Sequence, residues 1–227
     1  MALAARARAV ILVEGWSDQA AVDTLARRRG CDLRAEGILT VPIGGVTNLG
    51  AFVEMFGPVG AFGSSGSSGS SGPSGPSGPS GSSGLGLGLS GLCDAAEEAY
   101  ARRTLERAGM GTHLTRAGLE ALGFFVCEAD LEDELIRALG TTAVLAVLEA
   151  QRELEAFRRF QEQPAQKGRS LHAQLHRFMG TRARRKIRYG SLLTEAIDLA
   201  LMPRALERVL AHARAQASGG SPEAPTR

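Results

Sequence analysis

Val10, Ile11, Leu12 and Val13 are four consecutive bulky apolar residues, and they run straight into Glu14-Gly15 and then Trp16-Ser17-Asp18. An apolar run without polar alternation suits a strand covered on both faces, the kind found in a parallel sheet. Gly15 permits a sharp exit, and Ser17 or Asp18 can cap the helix that follows. Residues 19–29 then place Ala21, Val22, Leu25 and Ala26 at helical spacing and close at Gly30, and residues 37–44 read as a second strand. Strand, helix, strand in such a short span is a βαβ unit. It puts Glu14 at the carboxyl end of a sheet strand, where open α/β sheets keep their ligand sites. A glutamate there is also what a solvated strand end looks like, and Asp18 is also an ordinary cap. As a pair, the two carboxylates have the oxygen chemistry that holds a divalent cation.

The same junction recurs twice. Leu92-Cys93-Asp94 passes into Ala95-Ala96-Glu97-Glu98 and a helix over 95–108, stopped by Gly109. Gly123-Phe124-Phe125-Val126-Cys127-Glu128 reads as a fourth strand leading into Asp130-Leu131-Glu132-Asp133-Glu134. Acids in a helix's first turn ordinarily complement its dipole. Three such clusters, all at strand-to-helix junctions, set carboxylates along one presumed edge of a sheet. Between the first two junctions, Gly44-Gly45 forms a turn and Asn48 caps a short helix through Phe56. Residues 63–84 contain only Gly, Ser and Pro, so they are expected to be a disordered insertion. The strand after it, over 85–93, must rejoin the same sheet, and a long surface loop costs little.

From Thr141 onward the pattern is helical. Val144, Leu145, Val147, Leu148, Leu154, Phe157 and Phe160 mark one long helix ended near Pro164, and Leu171, Leu175, Phe178 and Met179 mark a second. Leu192, Leu193, Ala196 and Ile197 mark a third, and Pro203 opens a fourth. The expected organisation is an α/β domain over 8–140, a helical extension over 141–216 and a disordered polar tail over 217–227. Arg182-Ala183-Arg184-Arg185-Lys186-Ile187-Arg188 lies between the second and third helices, a run that suits either a solvated face or phosphate contact.

Net charge is +2, which neither demands nor excludes nucleic acid. Lysine occurs only at Lys167 and Lys186. The cysteines, Cys31, Cys93 and Cys127, have no zinc-ligand spacing and fit a reducing cytosol. No run reads as a signal peptide or membrane span, so a cytoplasmic protein is expected.

Glu14-Gly15 at a strand end, Asp18 four residues on, and a later acidic strand end at Asp94 resemble the TOPRIM domain. Type IA and II topoisomerases, bacterial primases, recombination-mediator proteins and OLD-family nucleases share that fold. Ser17-Asp18, the run Pro42-Ile43-Gly44-Gly45-Val46-Thr47-Asn48, Glu132 and Lys186 resemble the OLD (overcoming lysogenization defect) branch most closely. The resemblance implies an α/β, mainly parallel sheet flanked by helices. It implies Mg²⁺, or Mn²⁺, held by Glu14, Asp18, Asp94 and Glu132, with Asp130 a weaker candidate for the last acid. Lys186 would neutralise the scissile phosphate, and Glu14, Glu132 and Lys186 would carry catalysis. The family's Asp-x-Asp reads Asp94-Ala95-Ala96 here, so its second carboxylate is absent, and Glu97 or Glu98 is the nearest replacement. Full OLD proteins also carry an ATPase, whereas this sequence has no GxxxxGK[ST] phosphate loop. The expected activity is metal-dependent cleavage or nicking of DNA, with ATP dependence supplied by a separate ATPase partner. The alternatives are a degenerate module that binds nucleic acid or a partner ATPase without cutting, and nucleotidyl transfer as in primases.

Overall fold

The computed structural model describes residues 7–57 and 84–219. The Gly/Ser/Pro stretch, apart from Gly84, lies outside the described residues, as does the tail from 220. Four strands, β1 (Ala9–Val13), β2 (Ile38–Pro42), β3 (Gly88–Asp94) and β4 (Phe124–Cys127), form one parallel sheet in the order β2-β1-β3-β4. β1 is buried on both faces, as its unbroken apolar run requires: Ala9, Ile11 and Val13 enter one core and Val10 and Leu12 the other.

The helices follow from the same patterns. α1 (Trp16–Arg28) links β1 to β2, and α2 (Leu49–Phe56), α3 (Glu98–Arg107) and α4 (Arg116–Ala121) share the core of Val10 and Leu12. α5 (Leu131–Leu139), α6 (Thr141–Ala150), α7 (Leu154–Gln161), α8 (Leu171–Gly180), α9 (Ala183–Ala196) and α10 (Arg204–Gly219) build the opposite core together with α1. The α/β fold class expected from the sequence is therefore what the chain adopts. Among the described residues, no helix is long and apolar enough to cross a membrane.

Three local readings are corrected. The single helix read over 144–160 is two, α6 and α7. Arg152 takes a left-handed backbone (φ 58°), its N–H donates to Glu149 O at 2.8 Å, and the Glu153 N–H donates to Leu148 O at 2.9 Å. This is a Schellman ending without the usual glycine, so nothing in the sequence marked it. The break frees Glu153, whose Oε2 accepts from Arg185 Nε at 2.9 Å and from Tyr189 Oη at 3.2 Å. Second, the basic run is not a connector: from Ala183 it is the first half of α9. Third, Asn48 does not cap α2 with its side chain. Its Nδ2 donates instead to Ile43 O at 2.8 Å and Gly44 O at 3.3 Å, bracing the turn after β2.

α10 returns to the sheet over β3, a placement the sequence did not signal. A Cβ on Gly88 would stand 2.6 Å from Cβ of Gln216, so β3 is glycine-rich where the last helix presses on it. Ser90 Oγ and His212 Nδ1, 2.9 Å apart, tie the same two elements.

α9 crosses α1 where a Cβ on Gly190 would lie 2.5 Å from Ser17 O. Beyond the crossing, Thr24 Oγ1 meets Ser191 Oγ at 2.8 Å, and Arg28 Nη1 donates to Thr194 O at 2.7 Å and Ile197 O at 2.6 Å. Contacts advance along both helices together, so the two run in the same sense. The part of α9 before Gly190, which holds the basic run, therefore projects past the start of α1 and over the carboxyl edge of the sheet.

A candidate metal and phosphate site

The chain leaves β1 for β2 on one side and comes back to β3 on the other. The carboxyl ends of β1 and β3 thus flank the point where strand order reverses, the usual place for a ligand in an open parallel sheet. Glu14 follows β1 and Asp94 ends β3. Asp18 is not the cap of α1. Gly15 occupies that position, and Asp18, three residues on, accepts the Gly15 N–H at 2.8 Å through Oδ2. One carboxylate oxygen thereby fixes the turn that carries Glu14.

The third junction contributes from α5. Asp130 is its N-cap, accepting the Asp133 N–H at 2.7 Å through Oδ1. Glu132 is only 4% exposed. Lys186 of α9 brings Nζ to 3.2 Å from Glu132 Oε1, yet this buried oxygen has no hydrogen-bond partner among the described residues. The ammonium supplies compensating charge there.

Asp18, Asp94 and Lys186 register the charge of their neighbours. Burial pushes the Asp18 carboxyl up to about 7, with Glu132 and then Glu14 adding to the rise, against the Gly15 N–H and Lys186. Asp94 is held well above the ordinary carboxylate range by burial, then by Glu14, Asp130 and Asp18, and by a hydrogen bond with Glu14. Burial works against the charge on Lys186, but Glu132, Asp18 and Asp130 outweigh it and raise its pKa. The structure thus brings Glu14, Asp18, Asp94, Glu132 and Lys186 to one sheet edge, with Asp130 among them.

Glu97 and Glu98, the two acids nearest to the place of the missing carboxylate, part company. Glu98 is engaged by Arg116 at 2.6 Å and Arg102 at 3.9 Å. Glu97 lines a small cavity with Glu14, Leu12 and Cys93, and burial followed by the charge of Glu14 raises its pKa.

Two histidines escaped the sequence reading. His176 Nε2 lies 2.7 Å from Asp130 Oδ2, and His172 Nε2 lies 2.5 Å from Asp133 Oδ1. They sit one turn apart on α8 and meet acids nearly one turn apart on α5. Their four-residue spacing was legible as one helix face, but their partners were not. The hydrogen bond to Asp130 raises the pKa of His176. Burial favours a protonated Asp130, but the bonds from His176 and the Asp133 N–H outweigh it and keep the pKa below the ordinary value.

Among the described residues, no group of three or more Asp, Glu, His or Cys side chains is arranged to hold a metal ion as it stands. The donor chemistry nevertheless fits a hard divalent cation, since every candidate ligand is a carboxylate. Glu132 Oε1, buried with the Lys186 ammonium beside it at 3.2 Å, is one such oxygen. The basic run divides its work. Arg185 is bound to Glu153 and stacks on the Phe178 ring at 4.0 Å, Arg188 turns to Gln151 and Glu153, and Lys186 faces Glu132. Arg182 and Arg184 are exposed and form no ion pair among the described residues.

A parallel sheet with acids near its reversal point, under a helical layer, puts the chain in the class of open α/β folds, and its likeness there is to the TOPRIM domain. Within that class the likeness is to the OLD type. Residues 7–62 match the family described as "Overcoming lysogenization defect protein-like, TOPRIM domain". The fold matches the C-terminal region of the OLD protein of Xanthomonas campestris pv. campestris with a TM-score of 0.63 at 22% identity, covering 93% of this chain and 96% of that one. The C-terminal region of the Burkholderia pseudomallei OLD protein matches with a TM-score of 0.61 at 18% identity, covering 93% and 98%. No curated protein matches the chain by sequence. The OLD-like TOPRIM resemblance noted in the sequence is thus borne out, by sequence in the opening βαβ region and by fold over nearly the whole chain.

Proposed function

We propose that this chain is a divalent-cation-dependent nuclease that nicks or cleaves DNA. The observation that carries the reading is the meeting of carboxylates from three strand-to-helix junctions with Lys186 at the reversal point of the sheet. Glu14, Asp18, Asp94 and Glu132 would hold Mg²⁺, or Mn²⁺ in its place. The cation, when bound, polarises the phosphodiester and offsets the charge that develops on its oxygens. Lys186 sets its ammonium over the same edge, where it neutralises the scissile phosphate. His176 keeps Asp130 ionised beside Lys186, which holds the ammonium in its charged form. OLD proteins have N-terminal ATPase regions, and an ATPase partner acting with this chain in the cytoplasm is part of the proposal.

Ala96, standing where the family pattern has a second aspartate, favours a second reading, a module that binds nucleic acid without cutting it. One experiment separates the two. The full chain incubated with supercoiled plasmid and Mg²⁺ or Mn²⁺ should produce nicked circles, and Glu14→Ala should lower the rate by at least about a hundredfold, the scale on which loss of a charge-stabilising group acts. Equal rates for the two chains contradict the assignment. Plasmid that is bound but left intact with either cation supports the binding module instead.

A further inference from the structure

Trp16 is the one tryptophan in the chain, and 63% of its surface is exposed. Among the described residues its indole makes no hydrogen bond, ring contact or cation contact. Large aromatic side chains normally bury most of their area, and the first position of a helix has no structural need for one. Its neighbours make the exposure informative. Trp16 stands two residues from Glu14 and two from Asp18, on the turn that Asp18 ties. Ser17, the next residue, is where Gly190 crosses, so the overhanging start of α9 projects past the indole's end of α1. That overhang carries Lys186, the guanidinium groups of Arg182 and Arg184, which form no ion pair among the described residues, and the exposed Ile187.

We infer that Trp16 is a stacking platform for an unpaired base, so that the site takes single-stranded or locally unwound nucleic acid. The inference rests on reading this edge as a nucleic-acid site, and names the substrate class. Cationic side chains that follow a phosphate backbone, beside an aromatic face that stacks a base, are the two parts of single-strand recognition. In a duplex the base faces are already stacked on each other, and an indole lying on the surface reaches only sugar and phosphate. An unpaired base offers it a free face. The overhanging arginines hold the backbone, and the base resting on Trp16 fixes the register of the strand relative to the carboxylates.

Because Trp16 is the single tryptophan, its emission reports this one position. In EDTA, which prevents cleavage, an oligothymidylate titrated into the full chain should quench that emission to saturation, and a duplex of equal length should compete at least about tenfold more weakly. Measured by anisotropy of a labelled strand, Trp16→Ala should weaken single-strand binding about tenfold, and Trp16→Phe should recover most of the loss. Strand binding that leaves the emission unchanged overturns the inference, as does unchanged affinity in Trp16→Ala. Emission that shifts with protein concentration and not with the strand overturns it in favour of self-association. Plasmid nicking is read separately. Quenching without nicking leaves the platform standing and removes the nuclease reading, and nicking without quenching does the reverse.

Discussion

Gly190→Ala is expected to destabilise the chain by about 1–3 kcal/mol, the usual cost of forcing a methyl group into a packed contact. The same exchange in an unobstructed helix stabilises by about 1 kcal/mol, so the sign of the change is the test. The added Cβ would lie 2.5 Å from Ser17 O and 3.2 Å from the Ser17 carbonyl carbon, and backbone cannot swing aside as a long side chain can. Only a shift of α9 away from α1 relieves the clash. That shift also draws Lys186, one turn earlier on the same helix face, away from Glu132, 3.2 Å distant in the native chain. Any metal-dependent activity should therefore fall more than the loss of stability explains. Gly180→Ala, at the end of α8 where nothing beyond its own turn lies within 4 Å of the new methyl group, should be neutral or stabilising. Urea unfolding of the three chains checks the result, and a more stable Gly190→Ala variant would mean that α9 does not lie against α1 as described.

Asp18→Asn should remove any metal-dependent activity and yet make the metal-free chain more stable at pH 8. The sign follows from linkage. Asp18 releases its proton near 3.8 when unfolded and at about 7 when folded. Between these values the folded chain keeps a proton that the unfolded chain has lost, so stability declines as pH rises through that window and stays low above it. The decline is on the order of 2–4 kcal/mol. Asparagine cannot ionise, and its carbonyl oxygen can still accept the Gly15 N–H that Asp18 accepts. The two chains should therefore differ little near pH 4 and increasingly toward pH 8, measured in EDTA. Added Mg²⁺ should close the gap by stabilising the native chain alone. A variant less stable than the native chain at pH 8 would contradict the charge balance described for this site.

The parts of the fold that proved legible were those set by local pattern. Val10 to Val13 suited a covered strand and Gly15 a sharp exit from it, so the place of Glu14 at a strand end was legible before any contact was known. Long-range packing was illegible. Gly88 carried no sign of its packing because Gln216, which fills its space, lies far along the chain. The break at Arg152 stayed hidden because a left-handed arginine stands where glycine is customary. The basic run read as a connector because its charges mask helical periodicity, and its overhang depends on one glycine meeting a distant backbone. Glu132 and Lys186 were named by resemblance; from the residues alone, an acid in a helix's first turn carries no sign that it will be buried. Asp18 was legible as a carboxylate beside Glu14 or as an ordinary cap; its bond back to Gly15, which makes it both a brace of the turn and a charged neighbour of Glu132, was not.

Acids from separate strand-to-helix junctions should bind one cation together. Calorimetric titration of Mn²⁺ into the full chain at pH 8 tests this most directly, with Glu14→Gln and Glu132→Gln measured beside it. Saturable binding by the native chain that is lost or strongly weakened in both variants is the predicted result. No binding by the native chain, or binding that survives either substitution unchanged, would contradict it.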